Sequence, residues 1–230
     1  MVRLQNGKIP VLDRSPIETI LEKIGIVAVL EIEDSSKAPY VSEALLKGGV
    51  KAIELAVRTP ESIEAMRLIK QKTPEMIIGA GTIIFPEQIS TIMDAGAVFA
   101  VAPGTNENVI RTASEYGLPF APGISTASDI EKAISLGCSF LKLFPAEPLG
   151  GIDYFKSLTG PYAYLNLRFL PLGGVNEENL PRWAALPSIY AVGGSWIAKK
   201  NLINAEDYQT ITCNAAEAIR IWNETKGESQ

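Results

Sequence analysis

Eight times along the chain a short apolar run closes on a turn, most often one carrying glycine or proline, and a helical pattern follows. The runs cover 26–31, 52–57, 76–80, 98–102, 119–122, 140–144, 168–172 and 190–192. Most are apolar on both faces, which is the mark of strands in a parallel sheet covered by helices. Eight strand-then-helix units predict an α/β fold, a (β/α)₈ TIM barrel. A doubly wound open sheet is the competing arrangement, although it usually needs fewer strands. Ser15-Pro16-Ile17-Glu18 adds a helix start ahead of the first strand, with serine at the N-cap, proline at N1 and an acid in the first turn. No Pro/Ser-rich linker divides the chain. The expectation is one domain over 1–230, with a polar lead-in over 1–14 and a polar, frayed tail over 223–230.

Histidine is absent from the 230 residues. That removes Ser-His-Asp and Cys-His catalysis and histidine-based zinc sites. Proton transfer must fall to carboxylates, lysine, tyrosine, cysteine or water. Cys138 and Cys213 are the only cysteines and have no metal-ligand spacing, so no metal site and a reduced intracellular setting are expected. A net charge of −5 argues against nucleic acid or an anionic membrane as partner. Residues 1–10 carry no apolar h-region and no run reaches the length of a membrane span, so neither a signal peptide nor an anchor is expected.

The run Phe140-Leu141-Lys142-Leu143-Phe144 carries a lysine in its middle. Alternation puts Leu141 and Leu143 on one face and Phe140, Lys142 and Phe144 on the other. A buried ammonium is costly unless it is paired or loses its proton, and a lysine that loses it is a nucleophile. The alternative is a lysine snorkelling to solvent. In the second run, Glu54, Ala56 and Arg58 share the barrel-interior face. They would serve either as a site beside Lys142 or as a structural Glu54–Arg58 ion pair. Thr82 closes the third run as a ligand hydroxyl or a helix N-cap. Pro103-Gly104 closes the fourth as a close backbone approach or a plain turn. Ser125 and Thr126 read better as helix caps. Gly173-Gly174 and Gly193-Gly194-Ser195 close the last two runs, where barrels often bind phosphate through backbone N–H groups; tight turns are the alternative. The remaining lysines, Lys199 and Lys200 among them, fall on helix ends, turns or solvated faces. An amine, a carboxylate, an arginine and a phosphate cradle together suit Schiff-base cleavage of a carbon–carbon bond.

These residues resemble the bacterial 2-keto-3-deoxy-6-phosphogluconate (KDPG) and 4-hydroxy-2-oxoglutarate (KHG) aldolase family. The resemblance rests on Ile53-Glu54-Leu55-Ala56-Val57-Arg58-Thr59, Gly79-Ala80-Gly81-Thr82, Ala102-Pro103-Gly104, Pro122-Gly123-Ile124-Ser125-Thr126, Leu141-Lys142-Leu143-Phe144-Pro145-Ala146-Glu147 and Gly193-Gly194-Ser195-Trp196, in the family's order. It implies Lys142 as the Schiff-base lysine and Glu54 as general acid/base. It implies Arg58 and Thr82 on the pyruvate carboxylate, and Pro103 and Phe144 around the pyruvate moiety. It places Gly173, Gly174, Gly194 and Ser195 on the phosphate. It also implies a cytoplasmic, metal-independent homotrimer that cleaves KDPG to pyruvate and D-glyceraldehyde 3-phosphate, or KHG to pyruvate and glyoxylate. One departure is Leu172, where gluconate-specific members carry threonine and phosphogalactonate aldolases an apolar residue; this opens the C4 epimer preference. A phosphate-binding isomerase and a keto acid phosphate sensor are the competing functions, and both leave Lys142 beside Glu54 without a task.

Overall fold

The computed structural model describes residues 16–227, so the expected lead-in, the Ser15 N-cap and residues 228–230 lie outside the described residues. Helix α1 (Pro16–Ile24) leads into β1 (Ile26–Leu30), and α2 (Ala38–Lys47), β2 (Ala52–Ala56), α3 (Pro60–Lys72), β3 (Ile77–Gly81), α4 (Gln88–Ala95), β4 (Phe99–Val101) and α5 (Glu107–Glu115) follow. The fifth expected strand is two pieces, β5 (Phe120–Ala121) and β6 (Gly123–Ile124). Pro122, which has no N–H for a ladder, sits at the break. The chain continues with α6 (Ala127–Ser135), β7 (Phe140–Leu143), α7 (Gly151–Thr159), β8 (Arg168–Pro171), α8 (Leu180–Ala184), β9 (Val192–Gly194), α9 (Lys200–Asn204) and α10 (Tyr208–Lys226).

All strand pairs are parallel, in the orders β5-β4-β3-β2-β1-β9 and β6-β7-β8. The two sheets join into one ring. Pro122 bridges β5 and β6, and its carbonyl accepts from Lys142 N at 2.9 Å. On the other side Phe169 bridges Ile189, with Phe169 N donating to Ser188 O and Tyr190 N to Phe169 O. The result is the expected eight-stranded barrel, not an open sheet.

Side-chain parity divides the apolar residues into two cores. Ile53, Leu55, Leu141 and Leu143 face the helical layer. Val27, Ala52, Phe99, Phe140 and Leu170 fill the barrel interior. Leu21 of α1 joins the interior group and closes the barrel's N-terminal end. Below it Arg168 Nη1 meets Glu18 Oε2 at 3.4 Å with both side chains 9% exposed. Each fully buried Leu, Ile or Phe stabilises by about 1.5–3 kcal/mol relative to exposure.

Three helical expectations need correction. The last helix does not fray after 222: it runs to Lys226, and Arg220 ties Glu224 one turn on. The helical pattern of 177–186 yields a helix only over Leu180–Ala184; ahead of it the Asn176 side chain accepts from Glu178 N and Asn179 N and closes residues 177–179 into a capped turn. Helix α9 was not expected at all.

Candidate active site

The floor of the site follows from strand parity. Lys142 and Glu54 both sit at inward positions, on β7 and β2, and their side chains meet across the barrel. Lys142 Nζ donates to Glu54 Oε1 at 3.0 Å. The side chains are 6% and 3% exposed, so this is a desolvated ion pair and not a snorkelling lysine. Removing one partner from such a pair strands a buried charge. Phe144 places its ring centroid 5.2 Å from the same ammonium. Glu54 Oε2 is buried and makes no hydrogen bond among the described residues.

Glycines stand around this pair. Gly79 and Gly123 neighbour Glu54 and Lys142 in the strand register, where a Cβ would strike the Phe99 ring and the Pro103 backbone respectively. Gly81 matters most: a Cβ there would lie 2.1 Å from Glu54 Oε1. The next residue, Thr82, adopts φ +62°, a left-handed conformation that is an outlier for a β-branched side chain. Thr82 does not cap α4, whose N-cap position is Glu87, so the capping alternative fails. Thr126 does cap α6, in a reciprocal box with Asp129, as expected. Burial raises the Asp129 carboxyl, but hydrogen bonds from Ser125 and Thr126 outweigh it and hold the group below its usual range.

Lys142 and Glu54 open into a cavity of about 440 Å³ at the C-terminal ends of the strands. Of the ten residues expected at the site, nine line it: Glu54, Arg58, Thr82, Pro103, Lys142, Phe144, Gly173, Gly174 and Ser195. Gly194 does not; parity turns it away, and a Cβ there would fall inside the Trp196 ring, while Gly193 takes the wall position. Gly173 and Gly174 both adopt left-handed backbone, φ +91° and +85°, so the turn itself demands glycine there. Their loop is held by Ala146 N and Glu147 N donating to Leu172 O and Gly173 O. Glu147 is held in turn by Trp183 Nε1 at 2.6 Å.

Arg58 is not the partner of Glu54. It lies past the end of β2 at the cavity mouth, 58% exposed, and Nη1 meets Glu31 Oε2 at 3.2 Å. Sequence reasoning missed three mouth residues, Glu31, Lys199 and Lys200. The two lysines follow β9 at the place where α9 begins. Only their position directly after the last strand could have marked them. Among the described residues no cluster of His, Cys, Asp and Glu is arranged to hold a metal ion, and no helix is long and apolar enough to cross a membrane. Chemically, the floor offers a nitrogen nucleophile and a carboxylate that are largely withdrawn from solvent, and the mouth offers cations.

The family model described as KDPG and KHG aldolase matches residues 17–214. The 2-dehydro-3-deoxy-phosphogluconate aldolase of Dickeya dadantii (strain 3937) is 38% identical over 206 residues, 90% of this chain and 96% of that protein. The KDPG aldolase of Legionella pneumophila, solved with pyruvate captured as a covalent carbinolamine, superposes with a TM-score of 0.84 at 30% identity, over 89% of this chain and 98% of that one. The 2-keto-3-deoxy-6-phosphogluconate aldolase of Zymomonas mobilis ZM4, solved with 3-phosphoglycerate, gives a TM-score of 0.81 at 33% identity, over 88% and 94% of the two chains.

Proposed function

The chain belongs to the KDPG and KHG aldolase family of class I, Schiff-base lyases, and from that premise we propose that it reversibly cleaves KDPG to pyruvate and D-glyceraldehyde 3-phosphate, with KHG as a second substrate giving pyruvate and glyoxylate. The buried Lys142–Glu54 contact at 3.0 Å carries this reading. Pyruvate on the Legionella relative and 3-phosphoglycerate on the Zymomonas relative match the two halves of such a substrate.

In this mechanism the Lys142 ammonium first passes a proton to Glu54, the free amine attacks the substrate ketone, and Glu54 returns that proton to the oxygen, which leaves as water to give a protonated imine. Glu54 takes the C4 hydroxyl proton, through water, as the C3–C4 bond breaks. The electron pair of that bond moves into the iminium, the aldehyde departs, and an enamine remains. Glu54 returns the proton to C3, and water releases pyruvate from Lys142. Arg58 and Thr82 hold the carboxylate, Pro103 and Phe144 enclose the pyruvate carbons, and Gly173, Gly174, Ser195 and the backbone of Gly194 receive the phosphate. The covalent imine supplies the electron sink, so no metal enters. A single-domain barrel assembled as a cytoplasmic homotrimer completes the proposal, on the strength of the family resemblance.

Leu172 favours a second substrate. It lines the cavity and is 3% exposed. It can donate no hydrogen bond to a sugar hydroxyl, which supports the phosphogalactonate epimer as a competing substrate.

The test is borohydride trapping with pyruvate followed by peptide mass mapping. A reduced adduct on the peptide containing Lys142 is expected. A folded protein with no adduct there refutes the imine mechanism and returns the phosphate-binding isomerase to consideration.

A further inference from the structure

Three cations stand at the cavity mouth: Arg58, Lys199 and Lys200. Two carboxylates stand among them. Glu31 pairs with both Arg58 and Lys200, at 3.2 and 3.3 Å, and Glu33 pairs with Lys200 at 2.7 Å. Hydrogen bonds from Lys200 and Asn204 hold the Glu33 carboxyl below its usual range. Lys199 has no such neighbour: its side chain makes no hydrogen bond or ion pair among the described residues. The backbone that carries it is nevertheless fixed. Ile197 and Ala198 are buried, and Leu202 N and Ile203 N donate to Lys199 O. A firmly anchored, electrically unspent lysine therefore shares the cavity wall with Gly173, Gly174 and Ser195.

We propose that Lys199 is a specificity-determining residue that contacts the anionic group at the far end of the aldehyde fragment. The inference rests on the aldolase reading above and adds a side chain to a subsite otherwise made of backbone and one hydroxyl. With the ketone carbon at Lys142 and the carboxylate toward Arg58, the rest of the substrate runs up the wall to the mouth. A phosphate arriving there meets, among the described residues, the one mouth cation that no carboxylate neutralises. Lysine suits that task as a mobile point charge with three donors. It also offsets the repulsion that a chain of net charge −5 exerts on an anionic substrate. A neutral aldehyde gains nothing from it.

The experiment measures aldol addition of pyruvate to D-glyceraldehyde 3-phosphate and to D-glyceraldehyde, for the parent, Lys199→Gln and Lys199→Arg, at low and high salt. Lys199→Gln is expected to raise KM for the phosphorylated aldehyde about three- to tenfold with kcat unchanged. It should flatten the salt dependence of that KM and leave kcat/KM for D-glyceraldehyde as in the parent. Lys199→Arg, which keeps the charge, should stay within about twofold of the parent. No change with the phosphorylated aldehyde, or an equal loss with both aldehydes, overturns the proposal. Pyruvate trapping on Lys142 separates the two failures. A parent that traps pyruvate while Lys199→Gln shows no phosphate-selective loss sinks this inference alone. A parent that traps none sinks the aldolase reading and this inference with it.

Discussion

Replacing Gly81 with alanine should disable the site from outside the reacting groups. Gly81 ends β3, and its φ lies outside the left-handed region, so the backbone tolerates alanine. The added methyl is the whole perturbation. It would lie 2.1 Å from Glu54 Oε1 and 2.8 Å from Cδ and Cγ, where ordinary contact starts at 3.4 Å. The carboxylate must retreat by roughly 1 Å, which stretches its 3.0 Å bond to Lys142 beyond hydrogen-bond range. A displacement of that size in a catalytic group costs on the order of 100-fold in rate. Overpacking costs about 1–3 kcal/mol, or roughly 2–12 °C in Tm for a chain of this length. The assay is steady-state pyruvate release with circular dichroism melting. Gly104→Ala is the control, because a methyl there meets nothing within 4 Å; its kcat should match the parent. A folded Gly81→Ala protein with kcat within about threefold of the parent would refute the claim that Glu54's position sets the rate.

Lys142→Ala should remove turnover and borohydride trapping together and, by stranding Glu54, lower stability by about 3 kcal/mol. The Lys142→Ala/Glu54→Ala double variant should regain part of that loss and no activity; residual aldolase turnover in either would contradict the imine route. Leu172→Thr should shift the ratio of kcat/KM values toward the gluconate epimer by about tenfold, and an unchanged ratio would clear this position of that role. Asp129→Ala should cost about 1 kcal/mol near neutral pH through the lost cap. Because the folded carboxyl is held low, its contribution is present above the unfolded pKa and disappears as pH falls through the folded one. The gap in Tm between parent and Asp129→Ala should therefore close toward low pH, and a gap that widens on acidification would refute the assignment.

The parts of this molecule that depend on short-range pattern were readable in the chain. Alternation alone put Lys142 and Glu54 inside the barrel, although 88 residues separate them. The strand ends pointed to Thr82 and Pro103 with alternatives open, and the resemblance supplied their roles toward pyruvate. Features that depend on which strands become neighbours were not readable. Arg58 turns to Glu31 because β1 lies beside β2, with Leu30 opposite Leu55 just below that mouth pair. Lys199 and Lys200 reach the mouth because β9 closes against β1, which brings the loop after β9 over Glu31 and Glu33. Gly194 reads in the sequence as part of a terminal loop, but it lies inside β9, where the alternation still holds and Gly193 takes the wall position. Asn176 caps a turn over 177–179 ahead of α8, a local device that a helical period does not register.

The ion pair beneath the barrel has a consequence for how the protein is made. Glu18 and Arg168 are 150 residues apart, and their contact seals the end opposite the cavity. A ribosome delivers α1 first and β8 near the end, so α1 must wait with its apolar face uncovered while most strands are still being synthesised. Closing the base is then a late event, tied to the arrival of β8 and β9. Barrels stalled before residue 168 would present Leu21 and the acid of Glu18 to solvent, and such nascent chains are the species on which chaperones should act.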